Sequence, residues 1–134
     1  MRVPGFFGAI LVCSLLFVSC AGNEPAPEET IQPPDEAAAI AVLKEINQAQ
    51  ADFIRRTRRY AQTYDELIAE HLLATEPSSR NNGYEFLLRP SPDAVSYKVL
   101  AIPRVPNARH FFTDQTGVIR AEFGTPASED SPEL

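Results

Sequence analysis

The chain changes its hydrophobic period once, near Pro77, and that single change limits what it can fold into. Before it, apolar residues return every three or four positions. Ala39, Val42, Ile46, Ala49 and Phe53 form one stripe, with Leu43 and Gln50 beside it. Lys44, Glu45, Gln48, Asp52 and Arg55 fall on the opposite face. Such spacing predicts an amphipathic helix over roughly 35–59. Asp35 follows two prolines and is placed to cap it, with Glu36 in the first turn, where the helix dipole favours negative charge. A second, short helix is expected to begin near Thr63. Thr63-Tyr64-Asp65-Glu66 has capping-box spacing, and Leu67, Ile68, Leu72 and Leu73 follow.

After Pro77 the period is two. Ser78 to Gly83 is turn chemistry. Tyr84, Phe86 and Leu88 then alternate with Glu85, Leu87 and Arg89, and Val95, Tyr97, Val99 and Ala101 alternate with Ser96, Lys98, Leu100 and Ile102. Alternation of this kind marks strands with one buried face. Pro90-Ser91-Pro92-Asp93 makes the intervening turn, so the two strands should pair antiparallel. His110 to Thr113 and Val118 to Ala121 flank Asp114-Gln115-Thr116-Gly117, a hairpin turn with glycine where a positive φ is expected. Helices followed by hairpin-linked strands predict an α+β fold, in which the long helix lays its stripe, together with the short helix, across a four-stranded antiparallel sheet.

Charge divides the 134 residues further. Residues 20–36 hold five acids and no base, and residues 121–134 hold four acids and no base. The stretch 37–120 retains nine acids against eleven bases, so the net charge of −6 belongs to the flanks. Seven of the 12 prolines lie in the first 34 or last nine residues. Acidic, proline-rich segments bury too little apolar surface to offset the entropy of ordering. The expected organisation is a signal over 1–19, a flexible tether over 20–34, a folded domain over 35–122 and a disordered acidic tail over 123–134.

Met1-Arg2 gives a positive start, and Phe6 to Val18 runs for 13 residues without a charge. A helix of that length spans about 20 Å, short of a ~30 Å bilayer core, and suits an export signal better than a membrane span. Phe17-Val18-Ser19-Cys20 resembles a bacterial lipobox. That resemblance implies a diacylglycerol on the Cys20 sulfur, cleavage before it and acylation of the new N-terminus. Several acyl chains, at about 0.8 kcal/mol per buried CH₂, anchor a protein stably. The other reading is an ordinary secretory signal with a bystander cysteine. Cys13 falls inside the signal, which leaves Cys20 as the lone cysteine of the mature chain.

The order of parts resembles the globular heads of type IV pilins and type II secretion pseudopilins. The resemblance rests on Ala39 to Gln50, Tyr60-Ala61 ahead of Leu67, Gly83-Tyr84-Glu85-Phe86 and above all Arg109 to Arg120, RHFFTDQTGVIR, and covers roughly residues 36–122. It implies a long helix on an antiparallel sheet and a role in envelope assemblies rather than catalysis. Pilins carry a glutamate five residues after the cleavage glycine, followed by an unbroken apolar helix. Here Gly5-Phe6 matches that start, but Ile10 occupies the glutamate position and prolines follow Cys20. These departures point to a tethered head domain instead of a filament subunit.

Catalytic patterns are missing from the sequence. His71 and His110 are the two histidines, neither in an HExxH spacing, and no G-x-S-x-G or glycine-rich phosphate loop occurs. Both histidines read as structural. Asp114 reads as a turn former; its calcium-ligand alternative offers one carboxylate where calcium takes six to eight oxygens. No metal or other cofactor is expected. Arg55-Arg56-Thr57-Arg58-Arg59 is the one unusual charge cluster. Arginines at a helix C-terminus complement its dipole, Arg55 and Arg59 would share a face, and Asp52 is spaced to pair with Arg56. A solvated helix end is the plain reading. The functional one is a contact surface for lipid headgroups or another envelope protein, and aromatic interleaving for nucleic acid is absent. The expectation is a non-catalytic lipoprotein, bound to the membrane through Cys20 and to an unidentified envelope protein, on the outer membrane in a Gram-negative cell. The alternatives are a subunit of a filament or type II secretion-like system, and an envelope enzyme or small-ligand binder.

Overall fold

The computed structural model describes residues 33–80 and 82–134. Cys20, the signal region and most of the tether lie outside the described residues.

Helix α1 spans Glu36–Thr57. The Asp35 carboxylate accepts from the Ala38 N–H at 2.9 Å, and the Asp35 N–H donates to the Asn82 carbonyl at 3.0 Å. The helix stops two residues short of the expected end because Arg58 turns left-handed, with φ 65°. Helix α2 is Tyr64–Ala69, with Thr63 as its N-cap. The Thr63 hydroxyl accepts from the Glu66 N–H at 3.3 Å. The Glu66 carboxylate reaches past the cap to the Gln62 N–H at 2.6 Å. Leu72 and Leu73 lie beyond this single short element. A 3₁₀ turn, Pro77–Arg80, leads into the sheet.

Strands β1 Tyr84–Pro90, β2 Tyr97–Pro103, β3 Arg109–Asp114 and β4 Ile119–Phe123 form an antiparallel meander in sequence order. Phe86 pairs with Ala101 and Ala101 with Phe111, so their side chains share the inner face. The α1 stripe packs there: Leu43, Ile46 and Phe53 join Tyr84, Phe86, Val99 and Phe111 in one buried cluster. Each such side chain stabilises the fold by about 1.5–3 kcal/mol on full burial. Val95 departs from its expected inward place. It sits before β2 and is 66% exposed, because the turn from Ser91 to Ser96 is closed by the Ser91 N–H to Ser96 carbonyl bond.

A polar seam fixes the helix on the sheet. The Asn47 amide donates to the Thr113 hydroxyl at 2.8 Å and accepts from the Tyr97 hydroxyl at 2.9 Å. Thr113, fully buried, donates its own hydroxyl hydrogen bond to the Val118 carbonyl at 2.9 Å.

Both sheet edges are covered. On β1, the Ser78 hydroxyl accepts from the Phe86 N–H at 2.9 Å and lies 3.4 Å from the Phe86 carbonyl. On β4, residues 125–134 fold back, which corrects the expectation of a disordered tail. The Ala121 N–H donates to the Pro132 carbonyl at 2.9 Å and the Leu134 N–H to the Ile119 carbonyl at 3.0 Å. Arg120 and Glu133 stand opposite as an antiparallel bridge. Unpaired strand edges offer backbone groups to any extended segment, and here the chain's own end takes them. Lys98 to Glu129 at 3.2 Å and Arg120 to Glu133 at 2.9 Å offset the tail's acidity. The folded unit therefore continues past residue 122 to Leu134.

Candidate contact surfaces

The arginine cluster is divided among three neighbours. Arg55 pairs with Asp52, which is therefore not the partner of Arg56. Arg56 turns instead to Glu70 in the residues after α2, at 3.7 Å. Arg59 does not share a helix face with Arg55, since the left-handed Arg58 carries the chain away from the axis. Its guanidinium grips Glu66 through two bonds of 2.6 and 3.2 Å and lies 5.2 Å from the Phe53 ring centre. Hydrogen bonding from Arg59 holds the Glu66 carboxyl below its ordinary range. Arg58 makes no ion pair with a described residue. Three of the four arginines thus meet acids, and the cluster ties the end of α1 to α2. The sequence showed the four charges; it did not show Glu66 and Glu70 beside them, because those contacts depend on how α2 folds back.

Asp114 is occupied by its turn. Its carboxylate accepts from the Thr116 N–H at 2.9 Å and the Thr116 hydroxyl at 2.5 Å, and the Gly117 N–H returns to its carbonyl at 3.0 Å. Gly117 has φ +78°, where a side chain would be strained. Among the described residues no group of three or more His, Cys, Asp or Glu side chains is placed to hold a metal ion. His71 is exposed and follows α2 with φ 57°. His110 lies opposite Glu122 on the outer sheet face, and burial pushes its imidazole pKa down.

An open groove of about 550 Å³ separates α2 from β1, lined by Tyr64, Asp65, Glu76, Phe86, Leu88 and Arg89 among others. Burial raises the Tyr64 phenol, helped by the Glu76 charge. Desolvation also raises Glu76, with Asp65 adding to it and the Ser78 N–H opposing. The lining carries the hydroxyls of Thr63 and Tyr64 and the carboxylates of Asp65 and Glu76.

The outer face of the sheet carries a feature absent from the sequence reading. Alternation turns Phe112 away from the α1 side, in register with Leu100 and Arg120, yet it is only 3% exposed. The segment 125–134 is anchored on this face through Lys98 and Arg120, and its Ala127 and Ser131 are buried as well. Arg120 is the central anchor. Its guanidinium donates to the Ser131 carbonyl and to the Glu133 carboxylate, both at 2.9 Å. The sequence held one hint of this, acids spaced four apart at Glu129 and Glu133, but composition masked it. Searches of family models, curated proteins and solved structures gave no match to this chain.

Proposed function

We propose that this chain is a bacterial envelope lipoprotein, held to the membrane by acylated Cys20, whose pilin-like α+β domain acts by protein contact and not by catalysis. The observation that carries this reading is the uncharged run Phe6 to Val18 closing on Ser19-Cys20, ahead of an acidic, proline-rich stretch and a domain. The domain's own chemistry supports the contact part. Several of its carboxylates and guanidiniums pair with one another, as in Glu45 with Arg80 and Glu66 with Arg59. A long helix crossing an antiparallel meander also supports the pilin-like reading.

Mass spectrometry of the mature N-terminus tests it. An acylated Cys20 is expected, and Cys20→Ser should release the chain from membranes or leave it unprocessed. Fatty-acid labelling equal in Cys20→Ser and wild type would remove the anchor. Processing after Gly5 would favour the filament-subunit reading instead, which the Gly5-Phe6 start keeps in view. A pull-down of the membrane-bound chain identifies its protein contacts, and none that survives a salt wash would count against the contact part.

A further inference from the structure

We infer that the outer face and the edge of β4 form a peptide-recognition site, that residues 125–134 are its resident occupant, and that an acidic segment of a partner protein, able to form the same turn and bridge, takes their place. The inference rests on the protein-contact reading above but not on the lipid anchor.

The end of the tail, Pro132–Leu134, is bound in the manner of an added strand. Two backbone bonds run between β4 and Pro132–Leu134, and side-chain recognition comes from two basic residues of the sheet. Lys98 reads Glu129 in the turn closed by the Ser131 N–H to Ser128 carbonyl bond at 3.2 Å, and Arg120 reads Glu133 in the bridge beyond it, so the site selects one carboxylate on a turn and one on the short bridge that follows. Main-chain pairing of this kind supplies affinity, and side-chain contacts supply the choice of partner. A basic pair on the sheet calls for an acidic segment.

The hold is weak by its composition. The residues it buries are the small Ala127 and Ser131, while Phe112 lies beneath. Both ion pairs have one partner about 60% exposed, and exposed pairs contribute little. Phe123, beside the tail, and Leu134, at the tail's end, remain 65% and 59% exposed. With Arg109 and Glu122, and with the tail's own Pro132 and Glu133, they border a hollow of about 320 Å³. Gly124, with φ +73° and its N–H on the Ala108 carbonyl, marks where the tail leaves β4 and can swing.

The test uses the full chain in detergent micelles and a fluorescent copy of Thr125–Leu134, followed by anisotropy. In the wild type the resident tail competes. If it is open in about one molecule in ten, apparent affinity falls about tenfold. Glu129→Gln with Glu133→Gln weakens the resident tail and should tighten peptide binding by about that factor. Adding Arg120→Gln should abolish the gain, and a peptide with both glutamates changed to glutamine should not bind. Equal peptide affinity in wild type and the double variant would overturn the inference, as would binding indifferent to Arg120. Hydrogen exchange in the unaltered chain gives a second measurement. The Ala121 and Leu134 amides should exchange at least a hundredfold faster than the Val99 amide; protection equal to Val99 would mean the tail does not open. Failure here with protein contacts kept in the pull-down overturns this inference alone, whereas loss of both overturns the contact reading too.

Discussion

Gln50 and Ala61 exchange a complete pair of hydrogen bonds in the core. The Gln50 amide donates to the Ala61 carbonyl at 3.0 Å and accepts from the Ala61 N–H at 2.9 Å, and both residues are fully buried. A glutamine on an apolar stripe thereby substitutes for the secondary structure that the loop between α1 and α2 lacks. Gln50→Met keeps the volume but leaves two buried backbone groups unpaired. Each costs about 1–3 kcal/mol, so urea denaturation should show a loss of roughly 2–6 kcal/mol.

Phe53 closes the α1 stripe at 3% exposure, beneath the Arg59 guanidinium. Phe53→Ala removes the ring and leaves a cavity, for an expected loss of about 3–5 kcal/mol. Against a typical domain stability of about 5–15 kcal/mol, the denaturation midpoint should fall sharply or folding should be lost. An unchanged midpoint would show that the ring is not packed in this way.

Arg58 and Arg59 should respond in opposite directions. Arg58 holds a left-handed backbone at φ 65°, with its N–H on the Ile54 carbonyl at 2.9 Å, as glycine commonly does after a helix. Arg58→Gly should raise stability by about 0.5–1 kcal/mol, because a side chain there is strained. Arg59→Gln breaks the link to Glu66 and should lower the melting temperature. Equal effects in thermal melts would mean that the cluster acts only through its charge.

Acid should weaken the fold through two carboxylates. Hydrogen bonding from Arg80, at 2.5 and 2.9 Å, holds Glu45 below its ordinary value, and Arg59 does the same for Glu66. A folded-state pKa below the unfolded one gives stability that is present above the unfolded value, near 4.3, and lost as pH falls through the folded one. Glu76, raised by burial, works the other way and partly offsets this. Stability should therefore decline modestly between about pH 5 and pH 3, because solvent screens both pairs. Glu45→Gln should flatten the decline measured by denaturation across that range.

The sequence alone determined the helix, the four strands and, Val95 apart, the buried faces of the helix and of the first two strands. Ala39, Val42, Ile46 and Phe53 repeat with the helix, and Tyr97, Val99 and Ala101 repeat with the pleat; hydrophobic period is a local property that any core must respect. It also gave both helix caps, Asp35 and Thr63, since capping bonds span only three residues. Tertiary structure decided the rest. Glu66 and Glu70 reach the arginines only because α2 folds back on α1, and Asn47 meets Thr113 across 66 positions. Residues 125–134 read as a disordered arm, because composition reports how little apolar surface a segment owns. It cannot report that β4 ends the sheet with open backbone groups, or that Lys98 and Arg120 wait on the outer face. A free strand edge and two cations gave an acidic, proline-rich segment the partners that its own residues lack.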